Sequence, residues 1–157
     1  MVGALVGFAA QAAKLADELE AGLETVRAAA KKLPRRPRVF FEEWDEPLIS
    51  GIRWVSEVVE IAGGDDVFPE MRDRHDGPGR IVTPEAVIER APEVILASWC
   101  GKKVRPERIR ARPGWGAIPA VRDGRIHEIK SVLILQPGPA ALTDGLAACH
   151  AAISAAA

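Results

Sequence analysis

Residue types that commonly build catalytic or metal sites are scarce in this sequence of 157 residues. It has no tyrosine, three histidines and two cysteines, Cys100 and Cys149. The cysteines lack CxxC or zinc-ligand spacing and form at most one disulfide, so the sequence indicates neither a zinc site nor a disulfide-dense domain. It also lacks a phosphate-binding glycine loop and a paired-carboxylate motif. These absences argue against the common classes of enzyme.

An excess of charge of one sign is also missing. The 21 Lys and Arg residues nearly balance the 22 Asp and Glu residues, for a net charge of −1. This balance removes the general electrostatic case for a nucleic-acid or membrane partner. The one basic run, KKLPRRPR at 31–38, follows a predicted helix whose carboxyl end favours cations. A solvated linker is therefore favoured over a nucleic-acid patch.

The sequence contains no apolar run long enough to span a membrane. Its first residues, MVGALVGFAAQAAKLADELE, are apolar at the start but carry no basic segment and no clear cleavage site. We therefore expect no signal peptide in these residues. The cellular location stays unknown from composition alone.

The stretch at 38–64, RVFFEEWDEPLISGIRWVSEVVEIAGG, predicts a strand, a turn and a helix. The apolar run 39–41 is typical of a strand inside a sheet. The predicted turn at 42–46 holds Trp44 among four acids. Pro47 suits the first turn of a helix, and Gly63-Gly64 suits its end. The predicted apolar face of this helix consists of Leu48, Ile52, Val55, Val59 and Ala62.

Patterns elsewhere predict further elements. A helical stripe predicts one long helix over 3–32, and the polar residues 65–80, with His75 between Asp73 and Asp76, predict a surface loop rather than a metal site. Thr83 is a predicted helix N-cap, 93–98 a buried strand, and Pro106 the start of a short basic helix. We also expect a hairpin over 118–129 through Asp123-Gly124, and a last helix over 139–154.

This order of elements predicts an α/β fold: a three-layer domain with a central, mainly parallel sheet flanked by helices and preceded by one long N-terminal helix. We divide the chain into the long helix and basic linker, residues 1–37, and a single α/β lobe, residues 38–157.

In such a sheet the turns that follow the strands gather at one edge, here called the carboxyl edge. The predicted topology puts Trp44 and Trp99, and with them Trp115, on this edge. Three indoles there would form a stacking platform for a large, flat or apolar ligand. The alternative is that each indole caps the core, which is our expectation for Trp54 inside the helix.

A cysteine enzyme is the catalytic alternative. Cys100 follows a predicted strand beside Lys102 and Lys103, which would lower its pKa, and His127 or His150 would have to act as the base. No nucleophile elbow surrounds it. We therefore expect a buried or half-buried inert thiol, a binding module rather than an enzyme, no intrinsic cofactor and no bound metal.

Five segments carry a resemblance to a known family: FEEWDEPLISGIRWVSEVVEIAGG, PEAVIERAPEVILASWCGKKVRPERI, RPGW, IPAVRDGRIHEI and ILQPGPAALTDGL. Together they resemble substrate-binding proteins of ABC importers of the cobalamin and iron-chelate type. Those proteins have two α/β lobes joined by one long helix, with the ligand in the cleft between the lobes. The chain resembles the linking helix and the C-terminal lobe.

The resemblance implies that Trp44, Trp99 and Trp115, with Glu43, Cys100 and Gln136, line the cleft side of this lobe. It implies cobalamin or a similar metal chelate as the ligand, an ABC permease as a partner, and a periplasmic or cell-surface location. The alternative is an interaction module without a transport role, which self-associates through the exposed apolar part of the N-terminal helix.

Overall fold

The computed structural model describes residues 2–157 and contains one five-stranded sheet. The strands are β1 (Arg38–Asp45), β2 (Leu48–Ser50), β3 (Asp65–Asp66), β4 (Val94–Ala97) and β5 (Ile126–Glu128). Their order is β2-β1-β4-β5, and β3 pairs with the first residues of β1. β1, β3, β4 and β5 are parallel, and β2 alone is antiparallel to its neighbour within this part of the chain. The predicted α/β fold with a mainly parallel sheet is confirmed.

The central strands are apolar along their whole length because both faces of the sheet are covered. Residues 39–41 of β1 and 94–97 of β4 are all buried. Val39 and Phe41 face one core cluster with Val94 and Leu96. Phe40 faces the other with Ile95 and Ala97.

Helices form the two outer layers. They are α1 (Val2–Leu5), α2 (Ala9–Ala30), α3 (Arg53–Ile61), α4 (Pro84–Arg90), α5 (Pro106–Arg110), α6 (Pro119–Arg122), α7 (Ser131–Ile134) and α8 (Leu146–Ser154). A π-helical turn (Ala141–Gly145) precedes α8, and short 3₁₀ turns occur at Pro69–Met71, Pro78–Arg80 and Trp115–Ala117. α3 and α8 cover the Val39 face, while α4, α5 and α6 cover the Phe40 face. No helix within residues 2–157 is both long and apolar enough to cross a membrane.

The local signals at helix starts are confirmed. The Thr83 hydroxyl accepts a 3.2 Å hydrogen bond from the backbone N–H of Ala86, and Pro84 is the first residue of α4. Pro106 is likewise the first residue of α5. The last helix ends at Ser154 as predicted, although its first turn is π-helical.

The single N-terminal helix predicted over 3–32 is wrong in one respect: the chain breaks between α1 and α2. Gly7 adopts a φ of 82°, a left-handed conformation that a continuing α-helix does not allow. The side chains of Val2, Leu5, Val6 and Phe8 around this break are exposed.

The helix predicted to start at Pro47 is also wrong. The Glu46-Pro47 bond is cis and lies in a tight turn, after which Leu48 pairs with Asp45 and Ile49 with Trp44. The acidic segment 42–45, predicted as a turn, is therefore the second half of β1. This half pairs with β2 because the backbone groups of an uncovered strand edge need partners. The helix α3 begins only at Arg53.

The hairpin predicted over 118–129 does not form. Pro119 begins the helix α6 instead, and Gly124, with a φ of 73°, turns the chain into β5. β5 then runs parallel to β4, with Leu96 opposite His127. A proline at the first helical position explains why this segment is a helix.

Candidate ligand-binding edge

β1, β4 and β5 run in the same direction, so the turns that follow them meet at the carboxyl edge of the sheet. These turns contain residues 46–47, 98–103 and 129–131. In α/β folds ligands bind outside the carboxyl ends of the strands. The carboxyl edge is therefore the first candidate for a ligand site.

Trp44 is half-buried near the end of β1, where the pairing with β2 has a bulge. Its indole N–H donates a 2.9 Å hydrogen bond to the carbonyl oxygen of Glu46. The ammonium of Lys102 lies 4.1 Å from the centre of its ring. Bulges re-aim side chains beside functional sites, and here the strand end presents an indole to the carboxyl edge.

Trp99 lies at the same edge but its side chain belongs to the core, with 2% of its surface exposed. Its indole N–H donates a 2.9 Å hydrogen bond to Oε1 of Glu42. Glu42 is fully buried and also accepts two hydrogen bonds from Arg112, at 2.6 and 2.8 Å. A buried carboxylate requires partners of this kind.

Trp115 is fully buried. Its ring packs edge-on against Phe40, with ring centres 6.4 Å apart, and the guanidinium of Arg112 lies 4.4 Å from its ring centre. Trp115 does not follow a strand; it lies between α5 and α6, which pack against the Phe40 face.

The expected platform of three exposed indoles is therefore not formed. Trp44 alone of these three reaches the surface to a substantial extent, and Trp99 and Trp115 cap the core. Trp54, by contrast, packs against the core as predicted, and its indole N–H donates to the carbonyl oxygen of Ile134 at 3.0 Å.

Glu43 lies between the carboxyl edge and the irregular segment 67–80. It accepts hydrogen bonds from Arg80 at 2.6 and 2.9 Å and from the backbone N–H of Ile52 at 3.0 Å. Arg80 is 3% exposed and donates a further bond to the carbonyl oxygen of Ser50. The predicted surface loop at 65–80 is thus anchored at its end by a buried arginine.

Asp45 is a second acid that the structure buries, with 4% of its side chain exposed. It pairs with Lys102 and lies 3.5 Å from Arg108. The burial of Glu42 and Asp45 was not predicted from the sequence. The signal for Glu42 was its position two residues after Phe40, which places both on the same face of the strand.

A shallow depression of about 440 Å³ brings three of the predicted site residues together. Its walls are Glu43, Trp44, Pro47, Ile49, Cys100 and Leu135. Gln136 is exposed next to Leu135 but is not part of the wall. A second depression, of about 300 Å³, lies on the other side of Lys102 and is lined by Trp99, residues 101–103 and residues 128–132.

A larger cavity, of about 590 Å³, lies on the far side of the Glu46-Pro47 turn. Pro47, Leu48 and Ile81 form its apolar wall, and Asp45, Arg108 and Arg112 contribute charge. The arginine charges are largely compensated by Glu42 and Asp45. No pattern in the sequence predicts this cavity, because it depends on the antiparallel return of β2.

The residues of the cysteine-enzyme alternative are not brought together. Cys100 is exposed, whereas we expected a buried or half-buried thiol. Within residues 2–157 no hydrogen bond links it to a histidine. His150 Nδ1 instead lies 2.8 Å from the carbonyl oxygen of Ala62, near the amino ends of the strands. Burial lowers the pKa of His127. In the same part of the chain no group of three or more His, Cys, Asp or Glu side chains is placed to hold a metal ion.

Comparison with known proteins agrees with this architecture. Residues 1–133 match the model of a family described as periplasmic binding proteins. The Vitamin B12-binding protein of Vibrio parahaemolyticus is 28% identical over 129 residues, which is 80% of this chain and 44% of that protein. The chain thus spans a little under half the length of this relative.

Two solved structures show the same fold. An ABC transporter substrate-binding protein from Listeria monocytogenes is 18% identical with a TM-score of 0.81, over 97% of this chain and 60% of the other. A periplasmic heme-binding protein from Roseiflexus in its apo form is 24% identical with a TM-score of 0.76, over the same shares of the two chains. The matched proteins are named as binding proteins, and the family description agrees with the predicted binding module. The family match extends over most of the sequence, and the chain belongs to the periplasmic binding protein family.

Proposed function

We propose that this chain is a substrate-binding lobe of an ABC importer and that it binds a metal chelate at its carboxyl edge. The observation that carries the proposal is the depression that joins Glu43, Trp44 and Cys100 at this edge, in a chain of the periplasmic binding protein family. Ligands of α/β folds bind at this edge.

The class of ligand follows from the relatives and from the depression itself. One relative is named for vitamin B12 and one structural neighbour for heme, both large metal chelates with a flat ring. Trp44, Pro47, Ile49 and Leu135 give the depression an apolar wall suited to such a ring. The wall is shallow, and the chain spans about half the length of its relatives, so we propose that it supplies one side of a cleft.

The remaining parts of the proposal follow from the family. An importer of this kind delivers its ligand to a membrane permease, so an ABC permease is the proposed partner. The family name implies a periplasmic or cell-surface location. No cofactor is required, because the chelate is cargo rather than a resident group.

Tryptophan fluorescence tests the proposal. We expect titration with cyanocobalamin, heme or a ferric siderophore to quench the fluorescence at micromolar to millimolar concentration. Replacement of Trp44 by Ala should weaken the affinity obtained from the titration, because Trp44 is the half-exposed indole in the wall of the depression.

Trp54→Phe is the matched control, because Trp54 does not line the depression. Its indole packs against the core cluster that contains Val39 and donates to the carbonyl oxygen of Ile134. This variant should leave the affinity unchanged. Absence of quenching by all three ligands, with the far-UV circular dichroism of a folded chain, would contradict the proposal.

A second candidate is contact with another protein surface through the N-terminal helices. Val2, Leu5, Val6 and Phe8 are 58–79% exposed, an unusual density of apolar surface. Self-association through this surface would appear in light scattering as a mass above 16.9 kDa.

Leu5→Asp should then restore the monomer mass. The control is Val132→Asp, which changes an equally exposed apolar side chain at the carboxyl edge. A monomer at all concentrations would exclude self-association.

A further inference from the structure

Lys102 occupies the space directly above the indoles of the carboxyl edge. Its ammonium is 4.1 Å from the ring centre of Trp44 and 5.2 Å from that of Trp99. An ammonium over an indole face is held there by the ring's negative quadrupole. A flat ligand that packs against Trp44 therefore lies beside a positive charge.

The ammonium of Lys102 has donors to spare. It carries three N–H groups, and among the described residues its hydrogen bond goes to Asp45 alone. Its side chain is 38% exposed, so the group is accessible at the edge. These donors are available to an acceptor on a ligand.

Positive charge is in excess around this position. The cations that line the second depression are Lys102, Lys103 and Lys130, whereas the acids that pair with Lys102 and Lys130 are Asp45 and Glu128. Asp45 serves both Lys102 and Arg108. Lys103 is exposed and has no ion pair within residues 2–157.

The other acids nearby do not cancel this excess. Glu43 is neutralised by Arg80 in a bidentate pair. Glu46 belongs to the wall of the larger cavity on the far side of the Glu46-Pro47 turn, together with Glu85. Among the described residues Lys103 thus has no acid to balance its charge, and the three lysines of the second depression outnumber their paired acids by one.

We infer that the carboxyl edge selects a chelate with anionic arms, such as carboxylates, over a neutral chelate of the same shape, and that Lys102 determines this selection. The inference rests on the proposed function, because it names the substrate class of the same site. A carboxylate on the ligand accepts from the spare donors of Lys102, while the chelate ring lies against Trp44 and Leu135. Charge-assisted hydrogen bonds of this kind are stronger than neutral ones.

Heme and heme dimethyl ester form the test pair, because they share the same iron porphyrin and the ester replaces two charged carboxylates by neutral methyl esters. Any coordination of the iron by Cys100 contributes equally to both and cancels in the ratio of affinities. At low ionic strength we expect heme to bind about tenfold more tightly than the ester, the contribution of one partly exposed charge-assisted hydrogen bond. The ratio should fall as salt is added.

Lys102→Gln should bring the ratio close to one, and Lys102→Arg should retain it, because arginine keeps the charge. Lys14→Gln is the matched control, since Lys14 is 80% exposed on α2 and pairs with Glu18 only. It should leave the ratio unchanged. Circular dichroism of each variant shows that the fold is retained.

The failures of the two proposals are distinguishable. Equal affinity for heme and its ester, or an unchanged ratio in Lys102→Gln, overturns the selection of anions but leaves the binding function standing. Binding of cyanocobalamin with no binding of heme has the same meaning. Absence of binding by heme, its ester and cyanocobalamin alike overturns the proposed function and, with it, this inference.

Discussion

Trp99 and Glu42 are joined by a 2.9 Å hydrogen bond in the interior of the protein, between adjacent parallel strands at the carboxyl edge. The same carboxylate holds Arg112, which in turn covers Trp115. The carboxylate of Glu42 in β1 is thus bound both to the segment after β4, through Trp99, and to the segment after α5, through Arg112. The core beneath the candidate site depends on this connection.

Glu42→Gln should destabilise the protein by about 2–3 kcal/mol, since it leaves Arg112 without a counter-charge in a mostly buried place. The free energy of unfolding in urea measures the effect. Glu57→Gln is the control, because Glu57 forms an exposed pair with Arg53 on α3, and it should change stability by less than about 0.5 kcal/mol.

The double variant Glu42→Gln/Arg112→Met should lose less stability than the sum of the two single variants, because it removes both charges together. Additive losses would show that the pair is not coupled.

The free energy of unfolding should change with pH below about 4.5 through the titration of Glu93. Burial raises the pKa of Glu93, but the backbone N–H of Arg38 and the guanidinium groups of Arg38 and Arg35 outweigh it, so that the pKa is lowered from its ordinary value of 4.5. The charged form is therefore favoured by folding, and this stabilisation is present above pH 4.5 and is lost as the pH falls through the folded-state pKa.

Glu93→Gln should accordingly be less stable than the wild type at pH 7, by about 1 kcal/mol. The difference should shrink as the pH is lowered below 4. Urea denaturation at both pH values measures it. A difference that is the same at both would contradict the assigned role of the charge.

Two glycines should respond to alanine in opposite directions. Gly63 has a φ of 101°, and an added Cβ would lie 2.8 Å from Cδ1 of Leu33 and 3.1 Å from Cβ of Ala30. Gly63→Ala should cost about 1–3 kcal/mol of stability. Gly22, inside α2, has open space around it.

Gly22→Ala should therefore stabilise the protein by up to about 1 kcal/mol through helix propensity. Thermal unfolding of the two variants measures both effects. Changes of the same sign would show that local backbone conformation does not decide them.

The two thiols should differ sharply in reactivity. Burial raises the pKa of the Cys149 thiol to about 12, whereas Cys100 is exposed. At pH 8 about one Cys149 in 10⁴ is a thiolate even before access is considered. A thiol reagent should therefore label one cysteine in the native chain and two in denaturant, and Cys100→Ser should remove the native label.

The elements that the sequence predicted correctly are those set by local chemistry. The hydroxyl cap of Thr83, the prolines at 84 and 106, and the apolar runs of β1 and β4 each depend on a few adjacent residues. The errors occurred where partners distant in sequence decide the structure. Leu48 and Ile49 fit a helical stripe equally well, and only their pairing with Asp45 and Trp44 makes them a strand.

The candidate site shows the same division. Trp44 and Cys100 lie together at the carboxyl edge, because each is at or just beyond the end of a central strand. The sequence could not foresee that Trp99 and Trp115 turn inward, since their burial depends on Glu42, Arg112 and Phe40. A sequence pattern gives the edge at which a side chain begins, but not the direction that packing imposes on it.

Glu42 and Glu43 are consecutive acids at the end of β1, and each is held in two hydrogen bonds by an arginine from a different part of the chain, Arg112 and Arg80. The strand end that carries Trp44 is thus immobilised before any ligand arrives. The conformational entropy of this wall is lost during folding, so ordering it adds no free-energy cost to ligand binding. An affinity measured for this lobe would then report the contacts of the ligand rather than the ordering of the protein.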